Sequence, residues 1–310
     1  MKFSTSLITG LAVACISAAV VAETSALFIG NSFTYGYGSA AKFYRADSVT
    51  DLNNEGIGGV PALFKSFTDQ AGLDYDVYLE TRGGSGLDFH LESKLGVIGR
   101  RPWDQVVMHG YSTLDSNNAG NPAVLIDTTA QMASFLEGLN PNVEVFLTST
   151  WSRADRVYRS DGPWRNTPIE QMAIDVRAGY DQAAAGAAAV KAVNGVGEAW
   201  TRAMESGLAD PNPYDGIDVD KIDLWTFDHY HASTYGYYLE ALVVFGNLTG
   251  LDPRSLGENE CSAFELGMSR SQVQGLQQAA YDQLASEGKV MPAPLILPRP
   301  VGAERCVAAR

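Results

Sequence analysis

The sequence predicts an α/β fold, a doubly wound parallel sheet of about five strands with helices on both faces. Two observations predict it. Short runs rich in Val, Ile, Leu and Phe alternate with longer stretches whose apolar residues recur at helical spacing. No internal repeat and no low-complexity linker interrupts that alternation. The chain has 310 residues, 45% hydrophobic and 19% charged, enough for one sizeable core.

The strands are taken in order. Ser25–Gly30, Tyr75–Glu80, Trp103–Met108 and Val143–Thr148 are short apolar segments, and Ala192–Val196 is a weaker fifth. Residues 36–59 have no clear period and read as a long excursion after the first strand. Among the helices, Pro61–Gln70 places Leu63, Phe64 and Phe67 on one face, and Pro122–Leu139 stops before Asn140-Pro141. Thr167-Pro168-Ile169-Glu170 reads as a capping box that opens a helix running to about Lys191. Ser233–Leu248 is closed by Gly250, and Ser271–Ser286 carries Val273, Leu276, Ala280 and Leu284 at helical spacing.

The ends read differently. Met1-Lys2 followed by an apolar run from Leu7 to Val21 and by Ala22 reads as a secretory signal peptide over residues 1–22. The run is shorter than the roughly 20 apolar residues that span a bilayer. The expected location is therefore secreted or periplasmic, with the α/β domain at 23–288. Residues 289–310, with Pro292, Pro294, Pro298 and Pro300, form an extended tail. Export makes a Cys261–Cys306 disulfide the expected pairing, against the alternative of two buried thiols. The net charge of −14 argues against nucleic acid and anionic membrane as partners.

In an open parallel sheet, function collects at the carboxyl ends of the strands. The first strand ends Ile29-Gly30-Asn31-Ser32-Phe33-Thr34. Ser32 there can be a nucleophile if a base takes its proton, and by itself it can equally be a helix cap. Two of the chain's four histidines lie in Phe227-Asp228-His229-Tyr230-His231-Ala232-Ser233, just before a helix. A turn can set Asp228 against one ring nitrogen of His231 and leave the other outward as a general base. An Asx-turn leading into a helix cap at Ser233 is the plainer alternative.

Together, Gly30-Asn31-Ser32 and Asp228-x-x-His231, in that order, resemble the SGNH (GDSL-like) hydrolase superfamily. The longer block Leu27–Thr34 looks like a bacterial, secreted and largely uncharacterised subgroup. The resemblance spans roughly residues 25–250. It implies a flavodoxin-like three-layer α/β/α sheet and hydrolysis of carboxylic esters without metal or organic cofactor. It makes Ser32 the nucleophile, His231 the base and Asp228 its orienting acid. It also implies an oxyanion hole from the Ser32 backbone N–H, a glycine N–H and an asparagine side chain. Gly84 in Arg82-Gly-Gly-Ser-Gly-Leu87 matches the glycine. The third block departs from the pattern. His109-Gly110-Tyr111-Ser112 has Tyr111 where the asparagine is expected, so the Tyr111 hydroxyl, a His109 N–H or the Gly110 amide is left to donate.

His109, Trp151 and Arg153 are candidates for the substrate pocket, and His90 reads as structural. Asp210, Asp215, Asp218, Asp220 and Asp223 lack the spacing of a calcium loop and read as solvated. The expected substrate is a small-molecule or polysaccharide ester, deacetylated or stripped of a short acyl chain. The rival is a non-catalytic carbohydrate-binding or surface protein on the same fold, which the altered third block favours.

Overall fold

The computed structural model describes residues 23–289. The proposed leader at 1–22, most of the tail and Cys306 lie outside them, so the expected signal peptide and the Cys261–Cys306 pairing do too. One parallel sheet organises the described residues. Its strands are β1 (Thr24–Gly30), β2 (Thr50–Asp51), β3 (Tyr75–Thr81), β4 (Gln105–Met108), β5 (Glu144–Ser149) and β6 (Val190–Gly195), in the order β2-β3-β1-β4-β5-β6. The helices are α1 (Gly59–Gln70), α2 (Leu87–Ser93), α3 (Leu95–Ile98), α4 (Ala123–Leu139), α5 (Ile169–Ala185), α6 (Val196–Glu205), α7 (Thr234–Thr249), α8 (Cys261–Glu265) and α9 (Arg270–Ser286). Among the described residues, no helix is long and apolar enough to cross a membrane.

Side-chain alternation along the strands builds two cores. Ala26, Phe28, Val107 and Phe146 pack on one face with α1, α6, α7 and α9. Leu27, Ile29, Val106, Met108, Val145 and Leu147 pack on the other with α2 to α5. Because both faces are covered, these strands carry apolar residues at consecutive positions rather than alternating ones. α7 is buried on nearly every side, from Tyr237 to Gly246, which is why its sequence is apolar all round. Ser233 caps its start, with its hydroxyl accepting from the Gly236 N–H, and Gly250 closes it at φ 70°.

The expected doubly wound parallel sheet is present, with a sixth strand because the excursion after β1 contributes the two-residue edge strand β2. Two helix expectations are corrected. The capping box at Thr167 does not form. Pro168 is the N-cap of α5 without a side-chain bond, and the Thr167 hydroxyl donates to the Trp164 carbonyl instead. A capping box does form at Ser269 and Gln272, at the start of α9. α5 also stops at Ala185 rather than near Lys191, because the chain turns at Gly186 and enters β6 at Val190.

β1 lies between β3 and β4, and the connections leaving β1 and β4 go to opposite layers. The strand order reverses there, so a crevice opens beyond the carboxyl ends of β1 and β4.

Candidate active site

The turn after β1 is held by its own backbone and by its neighbours. The Thr34 and Tyr35 N–H groups donate to the Asn31 carbonyl at 3.0 and 3.1 Å, and the Tyr237 hydroxyl donates to the Ser32 carbonyl at 3.1 Å. The Asn31 side-chain amide donates to the carbonyls of Ser85 and Gly110, at 2.8 and 3.2 Å. One side chain thereby ties the ends of β1, β3 and β4 together. Gly30 is required by close approach: a Cβ there would lie 2.0 Å from Thr34 Oγ1 and 2.7 Å from His109 Nε2.

The turn from Asp228 to His231 is closed by backbone bonds. Trp225 and Ala232 form an antiparallel bridge, and the Thr226 N–H donates to the His231 carbonyl at 2.8 Å. His229 takes a left-handed φ of 52° within it. Asp228 Oδ1 accepts the N–H groups of Tyr230 and His231, at 3.0 and 2.9 Å. The carboxylate is fixed before it meets the ring.

The two segments, 199 residues apart, meet. His231 Nε2 lies 2.9 Å from Ser32 Oγ, and His231 Nδ1 lies 2.6 Å from Asp228 Oδ2. Phe33, Tyr37 and Tyr230 surround the imidazole, with ring centroids 5.5, 4.5 and 4.0 Å away. Burial pushes the His231 pKa below its ordinary value and the Arg153 charge adds to this, while Asp228 opposes. Burial raises Asp228, but the hydrogen bonds from the His231 ring and the two backbone N–H groups outweigh it, and its carboxyl lies below the usual range. At neutral pH the arrangement is a carboxylate, a neutral imidazole and a hydroxyl in line. That is a unit able to move a proton from Ser32 to His231.

Ser32 opens onto a cavity of about 150 Å³ whose walls include Gly84, Tyr111, Ser112, Arg153 and Arg156. Gly84 has φ 75°, a conformation that suits glycine. Of the third-block candidates, Tyr111 and Gly110 have their donors engaged, and His109, whose Nδ1 has no partner, is buried and does not line the cavity. The Tyr111 hydroxyl is committed to Asp88 Oδ2 at 3.1 Å. The Gly110 N–H donates to the Tyr180 hydroxyl at 3.0 Å. His109 Nε2 pairs with Thr34 Oγ1 at 3.0 Å. The hydroxyl of Ser112 lines the cavity in the same stretch and accepts from Arg153 Nη1 at 3.3 Å, which leaves its own proton to give.

Two pocket candidates are corrected, because neither lines the cavity. His109 is buried beneath the turn after β1, and that burial, with the nearby His90, pushes its pKa down to about 3. Trp151 is fully buried, stacked between Phe33 and Trp200 at 4.4 and 4.6 Å, with its Nε1–H on the Tyr230 carbonyl. It backs the site from the core. Arg153 does line the cavity, with its guanidinium over the Tyr230 ring at 3.4 Å.

His90, expected to be structural, is so, and the partner that the sequence reading missed is Glu80. His90 and Glu80 are both fully buried and paired through His90 Nδ1. His90 Nε2 faces the Gly30 carbonyl at 3.0 Å and Ser85 Oγ at 3.2 Å. Glu80 also accepts from Asn53 at 3.0 Å and pairs with Lys94 at 3.3 Å. Burial raises the Glu80 pKa, but the His90 hydrogen bond and charge, with Asn53 and Lys94, hold it below the usual range. The pair joins the strand end before Ser32 to the loop that carries Gly84. A glutamate inside an otherwise buried strand was the signal available in the sequence.

No family model and no curated protein sequence matches the chain. Solved structures do. A DUF4886 family protein from Bacteroides uniformis superposes with a TM-score of 0.59 at 15% identity, over 86% of this chain and 96% of that one. A protein from Parabacteroides merdae assigned as a GDSL-like lipase gives 0.48 at 14% identity, over 74% and 96%. A family 3 carbohydrate esterase from Clostridium thermocellum gives 0.46 at 16%, over 72% and 94%. The chain shares the fold of the DUF4886 family protein. At these identities the likeness is one of fold, and what the site does is argued from its own geometry.

Proposed function

We propose that the protein is a serine ester hydrolase that removes acetyl or other short acyl groups from polar, carbohydrate-like alcohols by a Ser-His-Asp acyl-enzyme route. The observation that carries this is the unbroken line from Asp228 through His231 to Ser32, at 2.6 and 2.9 Å, ending on a cavity wall. Ser32 Oγ attacks the ester carbonyl as His231 Nε2 takes its proton. Asp228 holds the ring and stabilises its charged form. The backbone N–H groups of Ser32 and Gly84, with the Ser112 hydroxyl as third donor, take the negative charge that develops on the carbonyl oxygen. Each such donor is worth about 3 kcal/mol. Collapse expels the alcohol, which leaves with the proton from His231. Water then attacks the acyl-enzyme, with His231 again as base, and the acid departs.

The cavity supports the short acyl group and the polar alcohol. Its volume is about 150 Å³, and its walls are rich in hydroxyls and guanidinium rather than in the aliphatic side chains a long acyl chain would need. The carbohydrate esterase likeness is compatible with this and adds no weight on substrate. Export, expected from residues 1–22, fits extracellular acetylated polysaccharide.

The test is hydrolysis of aryl acetate and acetylated xylan by the wild type and by Ser32→Ala. A loss in kcat of about 10⁶-fold in a variant that still folds is expected. A serine-directed phosphonate should label the wild type at Ser32 and leave the variant unmodified. Wild-type turnover by Ser32→Ala overturns the assignment, and a folded wild type that neither labels nor turns over favours a binding protein on this fold.

A further inference from the structure

We infer that the ester taken by this site carries an anionic group, a carboxylate, seated on Arg156 with Arg153 beside it. The inference rests on the hydrolase reading and narrows its substrate class. Arg153 and Arg156 form one wall of the cavity that opens on Ser32 and Gly84. They are not equivalent. Arg153 is held on every side. Its Nε and Nη2 donate to Asp155 at 3.0 and 2.6 Å, its Nη1 to Ser112 Oγ at 3.3 Å, and its plane lies over Tyr230. Its geometry is locked, and its charge is matched by Asp155.

Among the described residues, Arg156 has no such match. The nearest carboxylate oxygen, Asp155 Oδ2, is 4.0 Å from its Nε, beyond hydrogen-bond distance and already engaged by Arg153. The Arg156 Nε is buried with no acceptor, while the side chain as a whole is 38% exposed. One carboxylate thus serves two guanidinium groups, and the wall keeps a net positive charge. This occurs in a chain where Asp and Glu outnumber Lys and Arg by 36 to 22, so an acidic partner for Arg156 would be easy to supply. The two other carboxylates beside the site keep their charge but are held by hydrogen bonds elsewhere, Asp228 to His231 and Asp88 to the Tyr111 hydroxyl, and neither engages Arg156. The wall itself is shaped by a π-helix over Asp155–Arg159, a rare turn that recurs at functional sites. A guanidinium presents a fork of N–H donors that a carboxylate accepts in pairs, and a partly dehydrated cavity strengthens that contact. An uncharged sugar hydroxyl gains much less from it.

The experiment compares 4-acetoxybenzoate with 4-acetoxybenzamide, esters of nearly equal shape that differ by one charge. The amide has the better phenolate leaving group, so intrinsic reactivity works against the expected result. The wild type should favour the carboxylate by at least about tenfold in kcat/KM. Arg156→Gln should bring that ratio close to one. Arg270→Gln changes net charge equally at an exposed site in α9, far in sequence from the cavity residues, and should keep the ratio. Equal turnover of the two esters by the wild type, or an unchanged ratio in Arg156→Gln, overturns the anion seat and leaves the hydrolase reading standing. If the wild type cleaves neither ester, calorimetric titration of both into Ser32→Ala decides. Tighter binding of the carboxylate, lost in the double variant with Arg156→Gln, keeps the seat, and equal binding removes it.

Discussion

The protein places two imidazole–carboxylate pairs at one edge of its sheet, and they do different work. In His231–Asp228, the second ring nitrogen faces a hydroxyl at a cavity. In His90–Glu80, it faces the Gly30 carbonyl and Ser85 Oγ, inside a region closed to solvent. The Gly30 carbonyl has no proton to surrender and the Ser85 hydroxyl gives its own to the Arg82 carbonyl at 2.8 Å, so the buried pair has no proton to relay. It braces. It fixes the strand end from which Ser32 projects against the loop that carries Gly84. The chemical couple is shared, and what the far nitrogen meets decides whether it moves protons or holds backbone in place.

The sharpest way to break this contrast is Asp228→Asn. The amide keeps the shape but cannot hold the ring in the tautomer that presents a bare Nε2 to Ser32. A fall in kcat of about 10⁴-fold is expected, with KM little changed. The wild-type pH profile sharpens the same point. His231 must be neutral to act as base, so activity is lost as pH falls through its pKa. Burial holds that pKa below the ordinary histidine value, so the acid limb should lie below about pH 6.5, with a plateau through neutrality. A limb centred above the ordinary value would mean that the Asp228 contribution outweighs burial, against the structure.

Glu80→Gln should behave otherwise. The substitution leaves His90, Lys94 and Asn53 facing a neutral group in a closed region, and a loss of about 3 kcal/mol in folding stability is expected. Activity should fall about tenfold through kcat, as the Ser32 turn and the Gly84 loop lose their mutual register. Denaturant unfolding, read with kcat and KM, tests both. A kcat loss as large as that of Asp228→Asn, without loss of stability, would put the second pair in the chemistry and end the contrast.

The two pairs also differed in how far the sequence announced them. Asp228 and His231 are three residues apart in a turn before a helix, and Ser32 follows a strand, so a local pattern carries all three. Glu80 and His90 are separated by the Gly84 loop and meet only because β3 ends where α2 begins. The same logic runs through the fold. β1, β3, β4 and β5 were legible because burial on both faces forces apolar runs. β2 was not, because two residues on an edge carry no period. α6 was missed because it follows β6 directly at Gly195, with no capping side chain to mark its start. Trp151 follows the end of β5, but which face it took depended on Phe33 and Trp200, far away in sequence.

The smallest expected effect concerns the third block. Tyr111 occupies the position where the resemblance calls for an asparagine, and the ring does line the cavity. Its hydroxyl nevertheless points to Asp88, across a 3.1 Å bond, and its pKa is raised by burial and then by that carboxylate. A proton held by a carboxylate is not available to a carbonyl oxygen. Tyr111→Phe should therefore change kcat by less than about threefold, whereas loss of a true oxyanion donor costs about 10²- to 10³-fold. Ser112→Ala is the matched measurement, since that hydroxyl keeps its proton and accepts only from Arg153. The two variants exchange places if the structure has the donor wrong: a hundredfold loss in Tyr111→Phe with none in Ser112→Ala would require the tyrosine to leave Asp88 when the ester binds.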